Sequence, residues 1–354
     1  MELTIHAGMG KTGTSSIQAF CREHREQLRG AGLLYPRSPG IARHGRLGMF
    51  LKSDEELAIA PNWQRLQASD PTTDPARFRQ TFRRRLRTEI DEAGLDRVLL
   101  SDEEIFGMSD EGLQRLARFG RRISSRLRMV IYLRRQDDHL VSRYQQGVKI
   151  GWIARLDEWA LEDMTHLYDY ATRLRRHEEL VAPDEIVVRR YERDGFVRGS
   201  LHDDFLDAVG VSVDPEDRTP VPDRNLSLDA ESVEFLRLLN VHRVRATGAS
   251  VGLIDNRDLV RRLARASTGP VLTLSPTVLD PFMASWHEPN REVARRYFGT
   301  AEGDLFHADR KATGTTTRQR LDPDRLDHFL EVGEIAEEWH APLRRLAAAE
   351  VTRD

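Results

Sequence analysis

A three-layer α/β fold around a central parallel sheet, with additional helical segments, is predicted by three features of the sequence. The chain opens with a short β pattern, Leu3 to Ala7, that runs into a glycine-rich turn, Gly8-Met9-Gly10-Lys11-Thr12-Gly13, and then into an apolar-periodic helix. Short continuous apolar runs follow later, Val98-Leu99-Leu100 and Met129-Val130-Ile131-Tyr132-Leu133, of the kind carried by parallel strands covered on both faces. Helical patterns alternate with these runs, which implies crossover connections within a single parallel sheet. A strand, a glycine-rich turn and a helix in that order make the predicted scaffold P-loop-type.

The remaining elements follow in chain order. In the first helix Ile17, Phe20, Cys21, His24 and Leu28 recur at helical spacing and mark its buried face. Leu33 to Tyr35 reads as a second strand, stopped by Pro36, and a loop-rich stretch then runs to about Pro75. Phe78, Phe82, Leu86 and Ile90 mark one face of a helix, and Glu185 to Arg190 reads as a further strand behind Pro183. From about Leu201 the pattern is mainly helical, with a helix start signal at Asn225-Leu226-Ser227-Leu228-Asp229 and an interruption from Pro270 to Pro289. A charged helical stretch, Leu321 to about Ala349, closes the chain. With no internal repeat or low-complexity linker, residues 1–306 are expected to form one domain with helical and loop insertions at about 37–95 and 201–290. Residues 307–354 are expected as a C-terminal helical extension packed on the same domain.

Composition narrows the function classes. The 354 residues, 39% apolar, can bury a sizeable core, which excludes intrinsic disorder for the chain as a whole. A net charge of −3 offers no strongly basic field for nucleic acid. Of the 54 basic residues only Lys11, Lys52, Lys149 and Lys311 are lysines, leaving fifty arginines, a usage that genome composition accounts for as a whole. Cys21 is the single cysteine, so no intrachain disulfide or cysteine-rich zinc site can form, and a reducing cytoplasm is the expected compartment. The first residues carry no basic leader and no apolar run is long enough to span a bilayer, so a soluble, untargeted protein is expected.

The glycine-rich turn carries the chemistry. Backbone N–H groups at a helix N-terminus bind phosphate with help from the helix dipole, and a lysine adds a mobile positive charge. Gly10-Lys11-Thr12-Gly13-Thr14-Ser15-Ser16 supplies all three components. A nucleoside triphosphatase loop would place a glycine five residues before Gly10, where Ile5 stands inside the strand. Asp102, at the end of Leu99-Leu100-Ser101-Asp102, nevertheless fits a magnesium-holding aspartate, which keeps a magnesium-dependent kinase or ATPase open as an alternative.

His6-Ala7-Gly8-Met9-Gly10-Lys11-Thr12-Gly13-Thr14-Ser15-Ser16-Ile17-Gln18 resembles the 5′-phosphosulfate loop of sulfotransferases, the enzymes that use 3′-phosphoadenosine 5′-phosphosulfate (PAPS). The second half of that family's signature, a strand ending in arginine with a serine eight residues on, is matched by Arg134 and Ser142 in Tyr132-Leu133-Arg134 to Ser142-Arg143-Tyr144. Gly32-Leu33-Leu34-Tyr35-Pro36, Tyr144-Gln145-Gln146, Arg190-Tyr191-Glu192 and the stretch from Asn290 to Phe306 extend the likeness over residues 1 to about 306, in particular to bacterial members. The Arg-Lys-Gly loop of cytosolic eukaryotic members has only a loose echo in Arg310-Lys311-Ala312-Thr313-Gly314.

The resemblance implies sulfuryl transfer from PAPS to an acceptor hydroxyl of a carbohydrate or glycolipid, with PAPS as co-substrate and no metal. It implies that Lys11 neutralises the leaving phosphate, that Gly10, Thr12, Gly13, Thr14, Ser15 and Ser16 line the donor's 5′ end, and that Arg134 and Ser142 bind its 3′-phosphate. Arg134 at a strand end also suits a phosphate on physical grounds, since α/β folds bind ligands there and a guanidinium fork matches a dianion. Two residues compete as the acceptor's base: His44, in the loop after the second strand, and Glu103, at the end of the third. Trp63, Tyr144, Trp152 and Trp286 lie in segments able to line an acceptor cleft for a small molecule or glycan. A non-catalytic nucleotide-binding adaptor is the remaining alternative.

Overall fold

The computed structural model describes residues 1–218, 227–300, 303–308 and 319–351. Asn225 and Leu226 of the helix start signal, and Arg310 to Gly314, lie outside the described residues. The chain divides into two compact units, each assembled from three stretches: Met1–Arg134, His166–Asp223 and Glu288–Ala308 in the first, and Arg135–Thr165, Arg224–His287 and Asp309–Asp354 in the second.

The first unit is α/β. Its described strands are β1 (Glu2–Ala7), β2 (Arg97–Asp102), β3 (Arg126–Leu133) and β4 (Glu185–Arg190). They form one parallel sheet in the order β2-β1-β3-β4. The apolar runs read in the sequence are these strands, and their residues are buried on both faces because helices cover both. Alternation along the strands sends Leu99, Val130 and Tyr132 to one face. There they pack with Ile17, Phe20 and Cys21 of the helix Thr14–Glu23 and with Phe205 and Leu206 of the helix Leu201–Val209. Cys21 is fully buried, as its helical spacing predicts.

Two stretches differ from expectation. Leu33 to Tyr35 is reduced to one bridge, Leu34 to Val98, whose ladder consists of Leu34 N–H to the Arg97 carbonyl and Leu99 N–H to the Leu34 carbonyl, both 2.9 Å. Pro36 has no N–H with which to extend it. The loop-rich stretch before Pro75 contains three short helices, Gly45–Leu51, Asp54–Ala58 and Pro61–Ser69. The second starts at a Ser53/Glu56 capping box and the third at Pro61 in its first turn, while the first has no side-chain cap, and all three are held by buried Leu47, Phe50, Leu57 and Trp63. Beyond them, Phe78, Phe82, Leu86 and Ile90 are the buried face of the helix Pro75–Ala93.

The second unit is helical among its described residues. Its longest helix, Ala230–Thr247, carries a buried ion pair, Glu234 with Arg237 at 2.6 Å. Gln319 completes this network, donating from Nε2 to Glu234 at 2.9 Å and to the Tyr144 hydroxyl at 2.6 Å. Glu350 of the last helix, His340–Val351, accepts from Arg155 at 2.8 Å, so the C-terminal residues pack with this unit's own helices.

In the first unit the Tyr132 hydroxyl, deep under the sheet, donates to Asp204 Oδ1 at 2.6 Å. Tyr132→Phe removes that donor and leaves a buried carboxylate short of a partner, a loss expected to cost about 1–3 kcal/mol. Urea unfolding of the variant and the parent reads the difference.

Candidate functional site

The order β2-β1-β3-β4 places the reversal of strand order between β1 and β3, and open α/β sheets bind their ligands beyond the carboxyl ends of the strands at that point. The residues following β1 are Gly8 to Gly13, and the residue following β3 is Arg134. Arg134 Nη1 donates to the Lys11 carbonyl at 2.9 Å, so the two segments are joined directly across the switch point.

The turn after β1 is held by its own side chains. The Gly8 N–H donates to the Asp102 carbonyl at the end of β2 (3.2 Å). The Thr12 and Thr14 hydroxyls both donate to the Met9 carbonyl, at 2.5 and 3.4 Å. Lys11 and Gly13 have φ of +66° and +74°, with Thr12 between them on the negative side. Alternation of this kind turns successive N–H groups toward one side and makes an anion-binding concavity. A left-handed lysine costs about 1–3 kcal/mol, a strain that surrounding contacts must maintain. Any other residue at Gly13 would be strained, because of its positive φ and because a Cβ there would stand 2.4 Å from Leu201 Cδ2 and 2.9 Å from Tyr191 Cε2, so that those side chains would have to shift. The helix then starts with the Ile17 N–H to Gly13 carbonyl bond, 3.0 Å, which leaves the amides of Thr14, Ser15 and Ser16 with no acceptor inside the helix.

Around this turn the first unit gathers three basic side chains and one carboxylate. Lys11 is half-buried, and burial first, then Arg134, hold its ammonium below the ordinary lysine range, while Glu103 acts in the opposite sense. Glu103 follows β2 directly and pairs with Arg43 at 2.8 Å. The Arg134 guanidinium lies over the Tyr191 ring, 5.6 Å from its centroid, and the Arg134 carbonyl accepts from the Tyr170 hydroxyl at 2.7 Å. Backbone amides and basic side chains converging on one turn suit an oxyanion.

Other residues singled out in the sequence are placed differently. The Ser16 hydroxyl is bonded to His202 Nε2 at 3.0 Å, and Ser15 is exposed. Ser142 lies on the helix Gln136–Lys149 of the second unit. His44 is fully buried and stacked on Tyr35. The Ser101 N–H donates to its Nδ1 at 3.1 Å, so Nε2 carries the proton and donates to the Pro36 carbonyl at 2.9 Å. Both nitrogens are thus occupied, and burial lowers the ring's pKa to about 3. Asp102 is likewise buried, its oxygens accepting from the Gly48 N–H at 2.8 Å and the Glu104 N–H at 3.1 Å. Trp63, Tyr144 and Trp286 are buried core residues rather than an exposed aromatic lining, and Trp152 packs on Gly147.

Sequence reasoning missed Arg43, Tyr170 and Tyr191 as parts of the site. Tyr191 carried a usable signal, since it directly follows β4 and so belongs to the strand-end set. Arg43 and Tyr170 carried none.

No family model matches the chain, and no solved structure matches it. A protein of Archaeoglobus fulgidus, described only as uncharacterized, is 28% identical over 173 residues, 49% of this chain and 46% of its own length. The match therefore spans about half of either protein. Among the described residues no helix is long and apolar enough to cross a membrane.

The buried histidines make stability depend on pH. Burial lowers His6 and His44 to about 3 and His177 to about 4, so each gains a proton on unfolding between those values and its ordinary pKa of 6.5. Their contribution is complete above pH 6.5 and is lost as the pH falls. Asp102, raised to about 7 by burial and by Glu104, works against them as one proton released on unfolding. The histidine uptake outweighs that release, so stability is expected to fall by on the order of a few kcal/mol as the pH drops from 6.5 to 5. Guanidinium unfolding at stepped pH measures it.

Proposed function

We propose that this chain is a sulfotransferase on a P-loop-type scaffold, moving a sulfuryl group from PAPS to an acceptor hydroxyl of a carbohydrate or glycolipid. The observation that carries the reading is the Arg134 to Lys11 bond at the switch point, because it joins the two motifs on which the resemblance rests. Lys11 and the turn's amides hold the donor's 5′ end and offset the charge that builds on the departing phosphate oxygen. Arg134, oriented by Tyr170 and Tyr191, takes the terminal 3′-phosphate. As the bond between sulfur and the donor's phosphate oxygen breaks, sulfur bonds to the acceptor oxygen, and the acceptor's proton passes to Glu103. Glu103 is preferred to His44 as base because its carboxylate is part-exposed beside Lys11, whereas both ring nitrogens of His44 are engaged in the core. The magnesium-dependent alternative draws on Asp102, and both of its oxygens are committed to backbone amides.

Adenosine 3′,5′-bisphosphate is expected to bind without magnesium and more tightly than ATP with magnesium. Arg134→Ala should weaken it about 10- to 100-fold, the worth of a charge-assisted hydrogen bond to phosphate. Magnesium-dependent ATP binding with no bisphosphate affinity would overturn the reading.

The two base candidates separate by readout. Glu103→Gln should lower turnover by about 10²-fold or more with bisphosphate affinity kept. His44→Ala should instead cost about 2–4 kcal/mol of stability while the folded fraction turns over normally. Label transfer from PAPS, paired with thermal melting, distinguishes them, and the opposite pattern returns the role to His44.

A further inference from the structure

Away from the strand ends, the first unit holds a groove of about 510 Å³ between the helices Pro75–Ala93 and Asp110–Ile123. Its floor is apolar, made by Phe50, Leu86, Phe119 and Ile123, with Phe50 wedged against Phe82 and Phe119 at centroid distances of 4.6 and 5.1 Å. One wall carries Arg79, Arg83 and Arg87, one helical turn apart, and the facing wall carries Arg115, Arg118 and Arg122 at similar spacing. Each row extends about 10–12 Å at 1.5 Å per residue.

Three of these arginines have carboxylate partners: Arg79 with Asp54 (2.6 Å), Arg115 with Glu111 (2.6 Å) and Arg87 with Asp91 (3.4 Å). Arg83, Arg118 and Arg122, and Arg84 beside them, are exposed and have no ion-pair partner among the described residues. Like charges one turn apart destabilise a helix, and here they are concentrated in a protein whose net charge is −3. A cleft lined by one sign of charge over a low-dielectric floor focuses its field and concentrates counter-ions.

We propose that this groove is a binding site for a compact polyphosphate anion. Guanidinium forks pair with phosphate oxygens, and a tetrahedral phosphate presents oxygens in several directions, so a chain of phosphates can be gripped from both walls at once. A carboxylate presents only two oxygens, both in one plane. The groove is lined by no residue of the switch-point site, and the inference does not depend on sulfuryl transfer.

The test is calorimetric titration of the full chain with sodium tripolyphosphate, and with sodium sulfate at matched ionic strength, in a Lys11→Ala background. Because that background removes the loop lysine, failure of the groove is read separately from failure of the proposed donor site. Tripolyphosphate is expected to bind at least tenfold more tightly than sulfate. Adding Arg83→Gln and Arg118→Gln should abolish that advantage, while the paired lysine replacements keep part of it. Neither arginine holds the fold through an ion pair, and a melt without ligand checks that the variant is folded. Co-sedimentation with phosphatidylcholine vesicles containing a phosphorylated inositol lipid identifies the phosphate source: retention lost in the double glutamine variant assigns a lipid headgroup, and no retention assigns a free polyphosphate. Unchanged affinity in the double variant, equal binding of sulfate, or tighter binding of an octaglutamate peptide overturns the proposal.

Discussion

The 2.9 Å bond from Arg134 to the Lys11 carbonyl ties the end of β3 to the turn after β1, and much of the site's geometry depends on it. The turn is strained, with a non-glycine residue at positive φ, and strain of this kind persists only where neighbouring contacts over-determine the backbone. Here those contacts come from both sides. The Thr12 and Thr14 hydroxyls hold the Met9 carbonyl, and Arg134 holds that of Lys11. Arg134 is itself fixed through its own carbonyl by Tyr170 and through its guanidinium face by Tyr191. Burial, and after it the repulsion from Arg134, lowers the proton affinity of Lys11. An anion bound at the turn would relieve that repulsion, so strain and electrostatics point to the same kind of ligand.

How much of this was legible in the sequence depended on whether a signal was periodic or positional. β2 and β3 were readable because parallel strands buried on both faces carry continuous apolar runs, and β1 because a short β pattern runs directly into the glycine-rich turn. The helix Pro75–Ala93 was readable because its four core residues recur at helical spacing. Gly45–Leu51 and its neighbours were not readable, because helices this short are defined by caps and tertiary burial rather than by a repeated face. Leu33 to Tyr35 has strand composition, but pairing depends on a continuous ladder of N–H groups, which Pro36 interrupts. The Lys11 turn and Arg134 were legible as motifs. Their junction was not, since it depends on the strand order.

The arginine content illustrates the same distinction. As a total, fifty arginines carry no specific message. Position changes that: the helix Pro75–Ala93 places six in nineteen residues, and three of them, at 79, 83 and 87, share one wall. Only the packing of a second arginine-bearing helix alongside turns a compositional bias into a focused positive groove. The sequence contains both rows, but nothing local to either row indicates that they face each other.

Strand-end geometry also explains why adjacent acidic residues have different chemical prospects. Successive residues of a strand point to opposite faces. Asp102, the last residue of β2, turns inward and is consumed by the amides of Gly48 and Glu104, fixing the helix that carries Phe50. Glu103 comes one residue later, beyond the covered part of the sheet, and its carboxylate reaches Arg43 while remaining part-exposed. His44 belongs with Asp102 in this respect, because the Pro36 carbonyl and the Ser101 amide are both backbone groups that would otherwise be left unpaired in the core. A residue with the right chemistry serves a reaction only if the fold has not already used its polar atoms. By that criterion Glu103, with one oxygen paired to Arg43 and its carboxylate part-exposed, suits the proposed proton transfer better than His44 or Asp102.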